Sequence, residues 1–217
     1  MIHRLTIALL LAVGFAAPAH AAVSFDQSGL NAASDLDNSG DFIAATNFGN
    51  NPATVNGIAF STSSTFGSLS AGWNGGLFGS GITAVSPLTE VLNAFKYQDP
   101  SDPDNLVSIQ VDNLVNGNPY RVQMLIANTS TTNRTGASPR IEVQGDSFNM
   151  TDIGTTPALV TIEFTAAGAS ETITMGNGSV AQEDRAIING IAVHLVPEPT
   201  SLALLSLGGL VAVRRRG

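Results

Sequence analysis

Val107-Ser108-Ile109-Gln110-Val111-Asp112 and Tyr120-Arg121-Val122-Gln123-Met124-Leu125-Ile126 are the two stretches whose reading decides the fold. Val107, Ile109 and Val111 point one way while Ser108 and Gln110 point the other, and Tyr120, Val122, Met124 and Ile126 likewise oppose Arg121 and Gln123. A period of two is the period of a pleated strand with one buried face. Residues 113–118 join the two strands as a loop, and Asn116-Gly117 suits a left-handed turn. Outward from this pair, Gly, Asn, Ser and Thr separate further β-branched and aromatic runs, predicting strands over 41–47, 53–61, 105–112, 120–128, 140–144, 159–165, 171–175 and 186–195. One stretch breaks the alternation: after Ser86 as a cap and Pro87 in the first turn, Leu88, Val91, Leu92 and Phe95 recur at helical spacing before Tyr97. The chain reads as one all-β sandwich with a single short helix and no internal repeat.

Both ends read as transport signals. Residues 1–4 are short and basic, 5–17 are apolar, and Ala19-His20-Ala21 has the small-x-small pattern that signal peptidase accepts, so cleavage before Ala22 is expected. At the other end Pro197-Glu198-Pro199 is followed by an apolar segment, 201–213, and then Arg214-Arg215-Arg216. The prolines fix φ and withhold backbone donors, ending the last strand in an extended peptide. The arginines resist translocation and stay cytoplasmic. Thirteen apolar residues make roughly 20 Å of helix against a ~30 Å hydrocarbon core, which suits transient membrane insertion better than a permanent span. This three-part tail resembles the PEP-CTERM sorting signal of exported bacterial proteins. The resemblance implies an exosortase-type enzyme that cuts near Pro197-Glu198-Pro199, after transient retention in the inner membrane, and passes the protein to the cell surface or outside. The chain divides accordingly into a signal peptide (1–21), a sandwich domain (22–195) and a sorting signal (196–217).

Of nine Lys and Arg, Arg4 and the three terminal arginines lie in the signals, leaving five in the domain; of seventeen Asp and Glu only Glu198 does, leaving sixteen and a net charge near −11. That surface repels phosphate backbones, so nucleic acid is excluded as a partner, while neutral glycans and cations are compatible with it. The chain has no cysteine, and His194 is the single histidine outside the signal peptide. Thiol catalysis, zinc hydrolysis and a Ser-His-Asp triad all lack their parts, so an enzyme would have to work with carboxylates alone.

Four segments resemble the galactose-binding-like, malectin-like jelly rolls: Ala44-Ala45-Thr46-Asn47-Phe48-Gly49, Thr54-Val55-Asn56-Gly57-Ile58-Ala59-Phe60, Leu114 through Leu125, and Ile188-Asn189-Gly190-Ile191-Ala192-Val193. The resemblance implies a jelly-roll β-sandwich flanked by an N-terminal signal helix and a C-terminal hydrophobic sorting helix. Its motifs are turn and core residues and speak to fold more than to function.

Several residues are candidates for binding. Trp73, the only tryptophan, lies in the Gly-rich stretch 71–81. On an exposed loop it would stack on a sugar, whereas with Phe78 it would instead close one end of the core. Arg121, Gln123, Arg140, Glu142 and Gln144 project from the polar sides of two strands read as neighbours, a face suited to hydroxyl recognition or to a cross-strand ion pair. Asp99, Asp102 and Asp104 on a proline-stiffened loop would hold a structural Ca²⁺ or remain solvated. Asp35-Leu36-Asp37-Asn38-Ser39-Gly40-Asp41 opens like a calcium loop, but Thr46 stands where the bidentate Glu belongs, and a polar turn into the next strand is favoured. Glu142 and Glu163 are the conceivable glycosidase pair, without a motif to fix their separation. No regular Thr-x-Thr array supports ice binding, and the sequons at Asn128, Asn133, Asn149 and Asn177 go unused in a bacterium. The expected protein is thus non-enzymatic, a signal-peptidase and exosortase substrate in the extracellular matrix or envelope. It either binds a glycan or extracellular polysaccharide weakly or is purely structural, with a carboxylate-only glycoside hydrolase as the remaining alternative.

Overall fold

The computed structural model describes residues 22–49, 51–62, 67–77, 86–98, 106–127, 139–151, 157–176 and 186–197. Its elements in chain order are β1 (Ser24–Gly29), β2 (Asp41–Asn47), β3 (Ala53–Val55), β4 (Ile58–Phe60), β5 (Trp73–Leu77), α1 (Leu88–Leu92), β6 (Ala94–Gln98), β7 (Val107–Asp112), β8 (Pro119–Ile126), β9 (Arg140–Val143), β10 (Asp146–Asn149), β11 (Ala158–Thr165), β12 (Ser170–Met175), β13 (Ile187–Ile188) and β14 (Gly190–Leu195). They form an all-β jelly-roll sandwich. A five-stranded sheet in the order β1-β11-β8-β14-β2 faces a four-stranded sheet in the order β10-β9-β12-β7. The alternating residues of the opening stretches meet between them: Val122, Met124 and Ile126 from one sheet pack with Val107, Ile109 and Val111 from the other. The loop joining β7 to β8 therefore crosses between sheets and is no hairpin. Asn113 (φ 64°) and Gly117 (φ 86°) take its left-handed positions.

The outer face of the five-stranded sheet is covered over half its length. Leu125, Ala127, Leu159, Ala192 and Ala45 form a second apolar cluster with Val55, Ile58 and Phe60 from β3 and β4, with Leu88, Val91 and Leu92 of α1, and with Leu30 and Leu36. This third layer is why β8 does not alternate to its end: Gln123 and Leu125 are as buried as Val122 and Met124. It also explains two strands that read as continuous in the sequence and are broken in the structure. Residues 53–61 turn at Asn56 (φ 46°) and Gly57 (φ 80°) to make a hairpin over the sheet. Residues 186–195 break at Asn189, whose buried side chain accepts from the Ala127 amide at 2.6 Å and donates to the Leu92 and Ala94 carbonyls at 2.9 Å each.

The helix is shorter than its spacing predicts. It ends at Leu92, Ser86 gives it no side-chain cap, and Phe95 and Tyr97 lie instead on β6, paired with β5 and β13. Four strands lie outside the runs predicted from the sequence: β1, β5, β6 and β10. The first and last are mostly exposed edge strands of opposite sheets, closed against each other by side chains. Phe25 stacks on Phe148 with ring centres 5.7 Å apart, and the Gln27 amide exchanges two hydrogen bonds with the Thr151 backbone. Among the described residues, no helix is long and apolar enough to cross a membrane. The expected signal helix and sorting helix, with Ala19, Ala21, Glu198, Pro199, Arg214, Arg215 and Arg216, lie outside the described residues.

Candidate binding cleft on the five-stranded sheet

Cross-strand partners share a face, so register converts the sheet into ranks of side chains. One outward rank runs Ser24, Glu163, Arg121, His194, Phe42, and the next runs Asp26, Thr161, Gln123, Ala192, Ala45. The apolar ends of the inner ranks lie under the third layer, while Ser24, Asp26, Thr161, Glu163, Arg121 and Gln123 are left as the floor of an open polar cleft of about 370 Å³. The 3-10 turn at Ala33–Asp35 and the loop after it form the wall, contributing Asp35 and Asp37.

The floor is fixed by its own hydrogen bonds. The Arg121 side chain, 12% exposed, donates Nε–H to Glu163 Oε1 at 2.9 Å, and its Nη1 reaches both the Asp37 carboxylate and Ser39 Oγ, the latter at 3.0 Å. Gln123, with its amide turned so that both ends are paired, donates to the Asp37 carbonyl at 2.7 Å and accepts from the Asp37 amide at 2.9 Å. Asp35 accepts the Asn31 and Ala32 amides at 2.7 and 2.8 Å. The loop that reads as the opening of a calcium site thus spends two carboxylates on protein donors, which is the polar-turn reading. Partial burial pushes the Asp37 carboxyl upward, but the Ser39 hydroxyl and amide, Arg121 and His194 outweigh it and hold it below its ordinary 3.8. His194 is buried at 1% exposure, its Nδ1 has no hydrogen-bond partner among the described residues, and its ring meets Phe42 edge-on at 5.7 Å. Burial first, and the neighbouring Arg121 second, depress its pKa below 6.5 against the opposing pull of Asp37.

The residues singled out from the sequence are not brought together. β8 and β9 belong to opposite sheets, so Arg121 and Gln123 do not adjoin Arg140 and Glu142; the latter two form their own ion pair, 2.8 Å, on the outside of the four-stranded sheet. Gln144 lies beyond β9 in a turn (φ 53°) and donates to Glu171 and to the Thr165 carbonyl. Ile141 and Val143 point into the core from one sheet, and Ile162 and Phe164 from the other. Glu142 and Glu163 consequently face away from each other and cannot flank one glycosidic bond. Trp73 is not on a loop: it sits on β5, half-buried against the core, and its indole N–H donates to the Ser108 carbonyl at 3.0 Å. Of its two readings, closing the core is the one the geometry matches, and Phe78 lies outside the described residues. So do Asp99, Asp102 and Asp104; among the described residues, no three acidic or histidine side chains are placed to hold a metal ion. Asp26 carries no sequence signal because β1 has no apolar alternation to mark it as a strand, whereas Thr161 lies on the legible β11 and gains a place in the cleft only from its pairing with Asp26 and Gln123.

Fold and cleft together define an all-β jelly-roll sandwich with an open polar site beside its central strand. The chain carries the PEP-CTERM protein-sorting motif, matched over residues 195–216. That motif implies export, C-terminal membrane anchoring and processing by an exosortase-type system. Among solved structures, the chain is similar to the ANX1 ectodomain from Arabidopsis thaliana (12% identity, TM-score 0.52, covering 71% of this chain and 42% of that one). It is similar also to the ANXUR2 extracellular domain from Arabidopsis thaliana (12%, TM-score 0.53, 71% and 41%) and to the plant receptor-like kinase FER (12%, TM-score 0.50, 71% and 42%). The chain therefore spans less than half the length of these ectodomains, and at such identity the likeness concerns the fold. No curated protein matches the chain in sequence.

Proposed function

We propose that this protein is an exported, exosortase-sorted, non-enzymatic component of the extracellular matrix or envelope, and that its sandwich binds carbohydrate in the cleft around Arg121. The supporting observation is a pre-organised floor: Arg121 is held by Glu163, Asp37 and Ser39, and buried Gln123 pins the Asp37 backbone beside it, so the guanidinium need not be ordered when a ligand arrives. Exposed Ser24, Asp26 and Ser28 and partly exposed Thr161 add acceptors and donors around a volume suited to one or two sugar rings. Arg121 is already committed to two carboxylates, and Asp26 and Asp35 add further negative charge. The cleft accordingly suits neutral or amino-bearing sugars and disfavours uronates.

A polysaccharide pull-down with the exported protein tests this. Wild type is retained on neutral or amino-sugar polymers and not on polyuronate, and Asp26→Ala, an exposed floor change outside the Arg121–Asp37–Glu163 network, lowers retention about tenfold. Trp73→Ala, by contrast, lowers thermal stability. Retention of neither wild type nor Asp26→Ala on any polymer would leave the purely structural matrix protein as the reading.

A further inference from the structure

The sorting motif begins at Leu195, inside a strand of the folded domain. Leu195 is paired on both sides, with Asp41 of β2 and Tyr120 of β8, and the Val196 amide continues the ladder by donating to the Pro119 carbonyl at 3.0 Å. Gly40, at φ 92°, lies flat against this end of β14: a methyl group on it would collide with the Leu195 carbonyl oxygen and come within 3.5 Å of Pro197 Cδ. The carbonyl of Leu195 is therefore covered and the amide of Val196 occupied, whereas Pro197 is exposed. Val196 also shares a small cavity of about 180 Å³ with Ala22, Tyr120 and Phe164, so the expected mature N-terminus and the end of the last strand pack at one end of the domain.

A processing enzyme needs an extended peptide with free backbone groups, and residues locked in a sheet cannot supply them without local unfolding. We propose that the sandwich sets the upstream limit of its own processing: the bond cut lies on the carboxyl side of Pro197, with Gly40, Pro119 and Tyr120 as positioning residues that shield residues 195 and 196. In hydrolysis at such a bond the peptide C–N bond breaks, the hydroxyl of one solvent water completes the new carboxyl group, and the remaining proton goes to the amine of the released tail. The product then keeps β14 whole, and no rung of the central sheet is lost on maturation. This rests on exosortase-type processing and adds to it where the cut falls and what places it there.

The test is mass spectrometry of the mature C-terminus from cells with an active sorting enzyme, paired with residue-resolved hydrogen exchange on the exported, tail-bearing protein from cells without it. The proposal expects a product ending at Pro197 or later and a Val196 amide exchanging at least ~100-fold more slowly than an unstructured one. In Gly40→Ala, checked for cooperative melting, Val196 protection falls and products ending at Val196 or upstream appear. A wild-type product ending at or before Val196, or an unprotected Val196 amide, would overturn the proposal while leaving sorting intact. A tail never cleaved at all would overturn the processing reading together with it.

Discussion

At the scale of single residues, the asparagines in the segments resembling the malectin-like jelly rolls act as staples. Asn189 ties the amide just after β8 and carbonyls of α1 and β6 to the break in the last strand, and Asn47 ties the Gly49 amide to the carbonyls of Asn51 and Glu90. Replacing Asn189 by Ala strands an amide and two carbonyls in a region with no water access, which should cost about 3 kcal/mol, read as a lowered urea midpoint at unchanged slope. His194 makes a second prediction. Its folded pKa lies below 6.5, so the unfolded chain binds more protons as the pH falls. Stability due to neutral His194 is then complete above 6.5 and declines on acidification from that point downward. The charged groups facing it are Arg121 across the strand and Asp37 on the loop; Asp37, also depressed, adds its own loss only at lower pH, below 3.8. The melting temperature should drop between pH 7 and 5 in wild type and stay level there in His194→Gln, while both proteins lose stability at still lower pH.

Among the elements, legibility tracked what each strand buries. β7 and β12, and β11 from Val160 onward, send alternate side chains into one core and leave the others facing out, and their sequence alternation is correspondingly plain. β1 and β10 bury little, and β5 is Trp73 followed by Asn74, Gly75 and Gly76, so neither apolar period nor β-propensity marks them. The cleft inherits that blindness in part, since its floor is laid by β8 and β11, which the sequence marks, and by β1, which it does not. Sheet membership was equally illegible: nothing local in Arg121 or Arg140 says which of two sheets each joins, because strands distant in sequence, β11 for β8 and β12 for β9, decide it. α1 is held by contact more than by propensity. A methyl group on Gly190 would sit 2.6 Å from Val91 Cγ1, so the helix rests directly on the backbone of β14. Gly190→Ala should push α1 outward and cost about 1–3 kcal/mol, whereas Gly145→Ala, at an open turn, should cost about 1 kcal/mol from its left-handed backbone alone; thermal melts of the two variants compare the effects.

For the whole molecule, the acidic sandwich and the basic end of the tail carry opposite jobs in one chain. Sixteen acids against five bases in residues 22–195 give that stretch a negative field that disfavours anionic polymers as ligands. On the proposed sorting route Arg214, Arg215 and Arg216 would act earlier, because thirteen apolar residues are too few to hold a bilayer by length alone and retention would depend on charges that resist crossing. Substituting the three arginines by glutamine should therefore leave the sandwich and its melting temperature unchanged and alter only its route. In cells lacking the sorting enzyme, fractionation should find wild type in the membrane with its tail intact and the glutamine variant largely in the soluble exported fraction, also with its tail intact. Membrane retention of the variant at wild-type levels would place the anchoring in the apolar segment alone and remove the arginines from the sorting mechanism.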